Sequence, residues 1–312
     1  MYMTISFTGM PSVAVCLAAF NGIKWLPEQV SSILAQKDVD VTLFVSVDRS
    51  SDNTEEWFDK AALDDPRIVV LSHGEKFGGA APNFFRLLRD VDFSEFEYVS
   101  FADQDDIWLP EKLITAHKKL LATGADAYSS NVLAFWVSGR TMLIEKSQPQ
   151  QRWDFLFEAA GPGCTYVMTR ALTCAIQNFL RSRWNDVQDV GLHDWFSYAY
   201  ARANGYKWFI DDYPGMLYRQ HEENQFGVNS GWRAYLHRAR KVLNGWGLNQ
   251  SALIAQLVGL ANDPFVKSWS GGSRIGFFRL GLHAGQCRRR MRDKMLFGLS
   301  CMALCMVGKG GQ

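Results

Sequence analysis

The chain has 312 residues, of which 47% are hydrophobic and 21% are charged. This composition is that of a folded globular protein and excludes a chain that is disordered throughout. The length predicts one large domain or two modest ones. No stretch reaches the roughly 18 uninterrupted apolar residues of a membrane span, and we expect no secretory signal because the first residues lack a basic segment.

The net charge of +1 hides an uneven distribution along the chain. Residues 227–312 carry 13 Lys or Arg and two acidic residues, which leaves 20 basic and 30 acidic residues in 1–226. An acidic body with a basic tail predicts that the tail binds an anionic partner, and a fully solvated tail is the alternative. The six cysteines form no CxxC pair and no zinc-type spacing, so we expect reduced cytosolic thiols.

Apolar runs and helical spacing alternate over the first 120 residues. We predict strands at 13–17, 41–47, 68–71 and 98–101, with helices at 25–36, from 54 onward, at 83–89 and at 110–121. This alternation predicts an α/β fold with a doubly wound, mainly parallel sheet and flanking helices. Residues 127–137 are a further strand candidate, and the chain from Trp232 onward is helical and basic.

An acidic cluster, Asp103-Gln104-Asp105-Asp106, follows the fourth predicted strand. Three carboxylates in four positions repel one another unless a cation neutralises them. Oxygen ligands at a strand end suit Mg²⁺ or Mn²⁺, which commonly bridge to a substrate's phosphates. The alternative is an acidic turn that caps the next helix from Asp105 or Asp106. The position after a buried strand favours the metal site, because ligands of such sheets bind beyond the carboxyl ends of the strands.

Two other loops carry candidate binding groups. Asp48 ends the second predicted strand, where its carboxylate can accept from a base N–H or a ribose hydroxyl, and an Asx-turn is the alternative. Gly161-Pro162-Gly163-Cys164 is a tight turn that could hold backbone N–H groups close to an acceptor atom. Loop geometry alone explains that turn equally well.

Two later segments place ionisable side chains beside apolar stretches. Asp194 could be a general base with His193 as its neighbour, and a helix N-cap role for either residue is the alternative. Arg219 could contact phosphate, and His221 could be a metal ligand or a structural histidine.

Six segments, taken in order, resemble the motifs of family 2 glycosyltransferases, in particular the bacterial rhamnosyltransferase-like enzymes. They are 17–36, 48–54, 77–84, 100–113, 193–195 and 218–221, so that the resemblance covers about residues 12–226. Val47 and Arg49 stand where the family often has an acidic residue and glycine. The QxxRW motif of the processive members is lacking because Gln220 is followed by His221, Glu222 and Glu223, and the multiple membrane spans of those members are also lacking. The resemblance therefore implies a non-processive enzyme.

The resemblance implies a GT-A fold in residues 1–226, with a nucleotide-sugar half at about 1–122 and an acceptor half at about 123–226. Residues 227–312 would form a separate basic helical region. The implied reaction is inverting, metal-dependent transfer of a sugar, with rhamnose suggested by the subgroup. The donor would be a nucleoside-diphosphate sugar, and the acceptor a glycan or lipid-linked glycan of a bacterial surface polysaccharide.

The resemblance also implies roles for individual residues. Asp194 would be the catalytic base. The residues expected to bind the nucleotide sugar are Ala18, Phe20, Asn21, Asp48, Gly78, Asn83, Asp103 and Arg219. Asp105 and His221 would hold Mg²⁺ or Mn²⁺. The residues expected on the acceptor side are Gly163, Cys164, His193 and Trp195.

The C-terminal region carries a basic cluster followed by an apolar stretch. Residues 288–294 hold five cations and one acid directly before the apolar stretch 295–307. This pattern predicts an interfacial helix on an anionic leaflet, which would make the protein peripheral on the cytoplasmic face of the inner membrane. The alternative is a helix packed on the catalytic domain or on the second copy of a homodimer.

Two other functions compete with glycosyl transfer. A metal-dependent phosphoester hydrolase could use the same carboxylate cluster, and an inactive GT-A domain could serve as a binding module. We expect no nucleic acid partner for any of the three.

Overall fold

The computed structural model describes residues 9–74, 76–221 and 245–307. The predicted boundary between 226 and 227 lies outside these residues. The strands are β1 (Ser12–Ala19), β2 (Asp40–Val47), β3 (Ile68–Val70), β4 (Tyr98–Ala102), β5 (Ile107–Trp108), β6 (Ala127–Ser130), β7 (Val132–Trp136), β8 (Thr141–Ile144), β9 (Val167–Thr169), β10 (Trp208–Asp211) and β11 (Met216–Gln220). The helices are α1 (Leu26–Leu34), α2 (Thr54–Asp64), α3 (Ala80–Asp90), α4 (Lys112–Thr123), α5 (Arg170–Ser182), α6 (His193–Ala203), α7 (Trp246–Leu257), α8 (Pro264–Ser270), α9 (Arg274–Leu282), α10 (Ala284–Cys287) and α11 (Met291–Val307).

The main sheet confirms the predicted α/β architecture. Its order is β10-β6-β9-β4-β1-β2-β3, with β9 antiparallel to both neighbours and the other pairs parallel. The chain moves outward from β1 through β2 and β3 and then returns to pair β4 with the other side of β1. A crevice forms at such a switch point, just beyond the carboxyl ends of the strands.

The central strand β1 explains why both faces of the sheet are covered. Val13, Val15 and Leu17 belong to one hydrophobic cluster, together with residues of α1. Ala14 and Cys16 belong to the other cluster, together with residues of α3. Successive side chains of a strand point to opposite faces, so a continuous apolar run is what a strand buried on both sides requires.

The predicted strand at 127–137 is two strands, which is a correction. The break lies at Asn131, a buried residue between β6 in the main sheet and β7 in a second sheet of order β5-β11-β7-β8. The Asn131 Oδ1 atom accepts from the backbone N–H groups of Lys146 at 2.6 Å and Ser147 at 3.1 Å. Its Nδ2 atom donates to the carbonyl of Asp212 at 3.1 Å. One amide side chain thus satisfies three backbone groups where the ladder stops.

The described C-terminal helices pack on the body of the protein. Trp269, Leu280 and Cys301 lie in the same hydrophobic cluster as residues of α3 and α6. Gly281 in α9 lets α11 approach closely, because a Cβ atom there would lie 2.9 Å from the Met302 Cε atom. A separate domain at 227–312 stays a prediction. Within the described ranges, none of the helices has the length and apolar character needed to cross a membrane.

Candidate active site

A cleft of about 1320 Å³ lies beyond the carboxyl ends of β1, β2 and β4. It collects most of the residues that the sequence singles out: Ala18, Phe20, Asn21, Asp48, Gly78, Asn83, Asp103, Asp105, Gly163, His193, Asp194 and His221. Three predicted residues do not line it, and these are Cys164, Trp195 and Arg219.

The loop after β1 is fastened to the acidic cluster by Gln104. The backbone N–H of Phe20 donates to Gln104 Oε1 at 2.8 Å, and Gln104 Nε2 donates back to the Phe20 carbonyl at 2.9 Å. Gly22 is required beside this contact, because a Cβ atom there would lie 2.3 Å from Gln104 Oε1. Sequence reasoning gave Gln104 no role, although it lies inside the acidic motif.

The carboxylate of Asp48 holds the loop between β3 and α3. Its two oxygens accept from the backbone N–H groups of Phe77 and Gly78, each at 2.8 Å. These long-range bonds replace the Asx-turn that was the alternative. The Asn83 side chain works in a similar way, since its Nδ2 atom donates to the carbonyls of Ala19 at 3.3 Å and Ser46 at 3.1 Å. Both residues shape the wall of the cleft, and their direct contact with a nucleotide stays a prediction.

The second sheet brings the acidic cluster and the segment 219–221 together. His221 Nε2 lies 2.7 Å from Asp105 Oδ2. The Arg219 Nε atom donates to the Asp105 carbonyl at 2.8 Å, and the Arg219 backbone N–H donates to Asp106 Oδ1 at 3.1 Å. The helix-capping alternative is not observed, because Asp106 leads into β5 and α4 begins only at Lys112.

The structure corrects the expected position of Arg219. Its guanidinium lies 4.5 Å from the Trp25 ring centroid and 4.6 Å from that of Phe135. It also forms an ion pair with Glu28, and only 9% of its side chain is exposed. Cation–π contacts and a partly exposed ion pair hold the group out of the cleft. Arg219 therefore orients the Asp105 backbone, and a phosphate contact from this position is not supported.

Two overlapping groups of side chains could hold a metal. Asp105 and His221 face the cleft together with Asp103. Asp103, Asp106 and Cys164 have ligand atoms within 4.8 Å of one another. Burial, with help from the neighbouring carboxylates, raises the pKa of the Cys164 thiol well above its usual range. A protonated thiol is a poor ligand for a hard cation, whereas carboxylate oxygens and an imidazole fit Mn²⁺ or Mg²⁺. The cleft-facing group therefore fits the expected ion better.

The electrostatics of the acidic cluster match the predicted repulsion. Burial, followed by the charge of Asp105, raises the pKa of Asp103 to about 7. The same causes raise the pKa of Asp106 well above its usual range. Lys112, which sequence reasoning missed, is buried nearby with its Nζ atom 3.4 Å from the Trp108 ring centroid. Burial lowers the pKa of Lys112 to about 7, and the charge of Asp106 opposes that shift.

Asp194 lies on the opposite wall, in the first turn of α6. Its Oδ1 atom accepts from the backbone N–H of Trp195 at 2.7 Å. Burial raises the pKa of Asp194 to about 6, while backbone N–H groups, including that of Gly163, act in the opposite direction. The N-cap alternative does not hold, since Leu192 is the N-cap residue and no side chain caps the helix. A carboxylate that titrates near neutral pH suits a general base.

His193 is a neutral, nearly buried imidazole beside that base. Its ring stacks on Phe84 with centroids 3.8 Å apart. Burial lowers the pKa of His193 to about 3. The Nε2 atom makes no hydrogen bond to a described residue, and a Cβ atom on Gly163 would lie 2.7 Å from it. Glycine at 163 therefore leaves room for the His193 ring at this position.

The other two residues expected on the acceptor side are placed differently. Trp195 is buried, and its indole N–H donates to the Phe155 carbonyl at 2.9 Å. Cys164 is fully buried next to Asp103 and Asp106. Both side chains lie outside the lining of the cleft, and their place on the acceptor side stays a prediction.

Comparison with known proteins agrees with this geometry. Residues 14–166 match the model for glycosyl transferase family 2. The chain is 44% identical to the dTDP-rhamnosyl transferase RfbG of Shigella flexneri, covering 89% of this chain and 96% of that protein. The chain belongs to glycosyltransferase family 2. It is a glycosyltransferase, and the resemblance to rhamnosyltransferases is confirmed.

Other relatives are more distant. This family 2 chain is 26% identical to the UDP-Glc:alpha-D-GlcNAc-diphosphoundecaprenol beta-1,3-glucosyltransferase WfgD of Escherichia coli, over 51% of this chain and 61% of that protein. Among solved structures, TarS of Staphylococcus aureus in complex with UDP superposes with a TM-score of 0.55 at 15% identity, covering 91% of this chain and 77% of that one.

A mannosyltransferase from Pyrobaculum calidifontis, solved with GDP-Man and Mn²⁺, gives a TM-score of 0.51 at 17% identity, covering 96% of this chain and 87% of that one. At such low identities these structures show the fold alone. They confirm the GT-A architecture.

Proposed function

We propose that this glycosyltransferase transfers rhamnose from a dTDP-linked donor to a glycan or lipid-linked acceptor during surface polysaccharide synthesis. The dTDP-rhamnosyl transferase of Shigella, which is 44% identical over most of its length, supports the donor. The diphosphoundecaprenol-linked substrate named for the Escherichia coli relative supports a lipid-linked acceptor. The single observation that carries the proposal is that Asp194 shares one cleft with Asp103, Asp105 and His221.

The proposed reaction is a single displacement that inverts the anomeric carbon. An acceptor hydroxyl gives its proton to the Asp194 carboxylate while its oxygen bonds to the anomeric carbon. The bond from that carbon to the donor phosphate breaks, and its electron pair leaves with the diphosphate. Positioned general bases contribute about 10²–10⁴-fold to such rates. The neutral His193 imidazole lines the same cleft beside this carboxylate.

The donor half holds the nucleotide in this proposal. The loop at Ala18–Asn21 and the carboxylate of Asp48 line the cleft and would bind the base and the ribose. Asp105 and His221 would hold Mg²⁺ or Mn²⁺, with Asp103 serving the ribose or the water shell of the ion. When bound, such an ion offsets the negative charge of the diphosphate leaving group.

We further propose that the enzyme binds the cytoplasmic face of the membrane through an apolar face on its C-terminal helices. Eight large apolar side chains are exposed on or next to α9 and α11: Ile275, Phe278, Leu282, Met291, Met295, Leu296, Leu299 and Met306. Residues 264–307 carry eight Lys or Arg and one acid. An anionic leaflet can bury the apolar side chains and attract the basic ones.

A homodimer through the same face is less favourable. A symmetric dimer would place two identical segments, each of net charge +7, against each other.

The surface is also less basic than the sequence predicts. Arg289 Nη1 turns inward to Asp154 Oδ2 at 3.2 Å, and Arg288 Nη1 donates to the Phe157 carbonyl at 2.8 Å. The predicted five-cation cluster is therefore split between the interior and the surface.

Isotope labelling separates glycosyl transfer from the two rival functions. The full-length protein is incubated with dTDP-rhamnose and Mg²⁺ in ¹⁸O-labelled water, with and without a lipid-linked glycan extract. We expect dTDP-rhamnose to be consumed only when the extract is present. We expect no ¹⁸O in phosphate, because the acceptor hydroxyl attacks the anomeric carbon and not phosphorus. Label in phosphate without the extract indicates a phosphoester hydrolase. Tight dTDP binding without turnover under any condition indicates a binding module.

A further inference from the structure

A second group of charged side chains lines the cleft, and no step above uses it. Lys146, Arg290 and Arg292 lie along the same cavity as Asp194. We call these three residues the cationic wall. Lys146 follows β8, and the two arginines flank the start of α11. The two arginines belong to the basic segment that the sequence assigned to a membrane surface.

The neighbouring cations already have partners. Arg289 is buried, and its guanidinium contacts Asp154 at 3.2 Å and Glu158 at 3.7 Å. Arg288 lies 3.9 Å from Glu158. Within the described residues, the side chains of Lys146 and Arg290 form neither an ion pair nor a hydrogen bond, and Arg292 has only an exposed contact with Asp293 at 3.5 Å. The cationic wall therefore presents charge to the cleft.

Lys146 is the member closest to the chemistry. Its charge acts on the Asp194 carboxylate, whose pKa it lowers against the effect of burial. Burial lowers the pKa of Lys146 itself. Its charged neighbours include Glu158, Arg288, Arg289 and Asp293, which come from the acceptor half and the C-terminal region. A half-buried ammonium without a bonded counter-charge favours an anion from outside the protein.

We infer that Lys146 and Arg290 bind a phosphate group of the acceptor, at a site distinct from the donor site beside Asp105. This inference rests on the proposed function, because it assumes that the acceptor approaches Asp194. A guanidinium fork and an ammonium are the usual protein ligands of phosphate. Arg290 directly precedes α11, so the phosphate of a lipid-linked acceptor could reach it from the apolar face.

Phosphate binding to the dTDP-loaded enzyme tests this site. The full-length protein is saturated with dTDP and Mg²⁺ and then titrated calorimetrically with inorganic phosphate at low salt. Lys146→Gln and Arg290→Gln each remove one charge, and Lys60→Gln, at an exposed residue outside the cleft, is the matched control. We expect one phosphate to bind, about tenfold more weakly in either cleft variant and unchanged in the control. The affinity for dTDP should stay within twofold in all three variants.

Two results would overturn the inference. One is a dTDP-saturated enzyme that binds no phosphate. The other is a loss of dTDP affinity in Lys146→Gln as large as its loss of phosphate affinity, which would show that these cations bind the donor. A protein that binds no dTDP at all contradicts the proposed function instead. A parallel measurement with phosphatidylglycerol vesicles distinguishes the source of the phosphate. Lys146→Gln should leave vesicle binding unchanged, and a loss there assigns Lys146 to a phospholipid headgroup.

Discussion

The carboxylate of Asp105 lies 2.7 Å from the imidazole of His221, although 116 residues separate them in the chain. The antiparallel pairing of β5 with β11, which aligns Ile107 with Leu217, brings the two segments together. The pair of expected metal ligands therefore exists only when the second sheet has formed beside the first. Donor binding should consequently depend on residues from both halves of the domain.

Asp105→Asn should abolish metal-dependent donor binding. An amide is a poor ligand for a hard cation, and it also weakens the contact with His221. Calorimetry of dTDP binding with and without Mn²⁺ measures the effect. Asp40→Asn makes the same chemical change at the amino end of β2, away from the cleft, and should behave as wild type. An unchanged Mn²⁺-dependent affinity in Asp105→Asn would refute the assignment.

Asp194→Asn should reduce transfer by about 10² or more while leaving dTDP affinity near wild type. The carboxylate must be ionised to accept a proton, and burial raises the pKa of Asp194 to about 6. The wild-type rate should therefore be constant above that pH and fall as the pH drops through about 6. The groups that oppose the effect of burial include Lys146, after β8, and the backbone N–H groups of Trp195 and Gly163. A folded Asp194→Asn variant with normal turnover would make Asp194 a structural residue.

Leu282→Asn/Leu299→Asn should weaken binding to phosphatidylglycerol vesicles without affecting dTDP binding. Both leucines are 66% exposed on the apolar face. Replacing each by asparagine removes the favourable free energy of transferring its side chain from water into the leaflet. Leu63→Asn is the matched control, because this leucine is 87% exposed on α2. Vesicle co-sedimentation at low and high salt measures the effect. If wild-type protein ignores such vesicles at low salt, the membrane proposal fails and the face is left for protein contacts.

Arg289→Met should destabilise the protein by about 3 kcal/mol, because it removes a partner from the buried carboxylate of Asp154. Arg202 and Tyr198 still bond that carboxylate, which keeps the loss moderate. Arg290→Met, at the exposed next position, should change the free energy of unfolding by no more than about 0.5 kcal/mol. Urea unfolding compares the two. Equal effects would show that the inward position of Arg289 contributes nothing to stability.

Local patterns were enough to predict most strands and helices of the first 122 residues. The strand around Cys16 is buried on both faces, and the strand around Phe44 is buried on one face and partly buried on the other. Each therefore appears as an apolar run with a polar loop at its end. The third helix starts at Ala80, three residues before its predicted start at Asn83, because Pro82 is tolerated in a first turn. The motifs at these strand ends then converge in one cleft, as parallel strands require.

Contacts across long stretches of chain could not be predicted in this way. Arg219 is withdrawn from the cleft by Glu28, which lies 191 residues away in the sequence. Arg289 turns inward because it forms ion pairs with Asp154 and Glu158 in the interior. No periodicity marks Lys146, whose position depends on where β8 joins the second sheet. Each of these residues is a cation whose surroundings are set by tertiary structure alone.

The stereochemistry of the product tests the central claim most directly. Full-length protein, dTDP-rhamnose and Mg²⁺ are incubated with a lipid-linked glycan extract, and the one-bond C–H coupling at the new anomeric centre is measured by NMR. The account predicts a new rhamnosyl linkage whose anomeric configuration is opposite to that of the donor, with no product from Asp194→Asn. A product that retains the donor's configuration would contradict the single displacement and the role of Asp194.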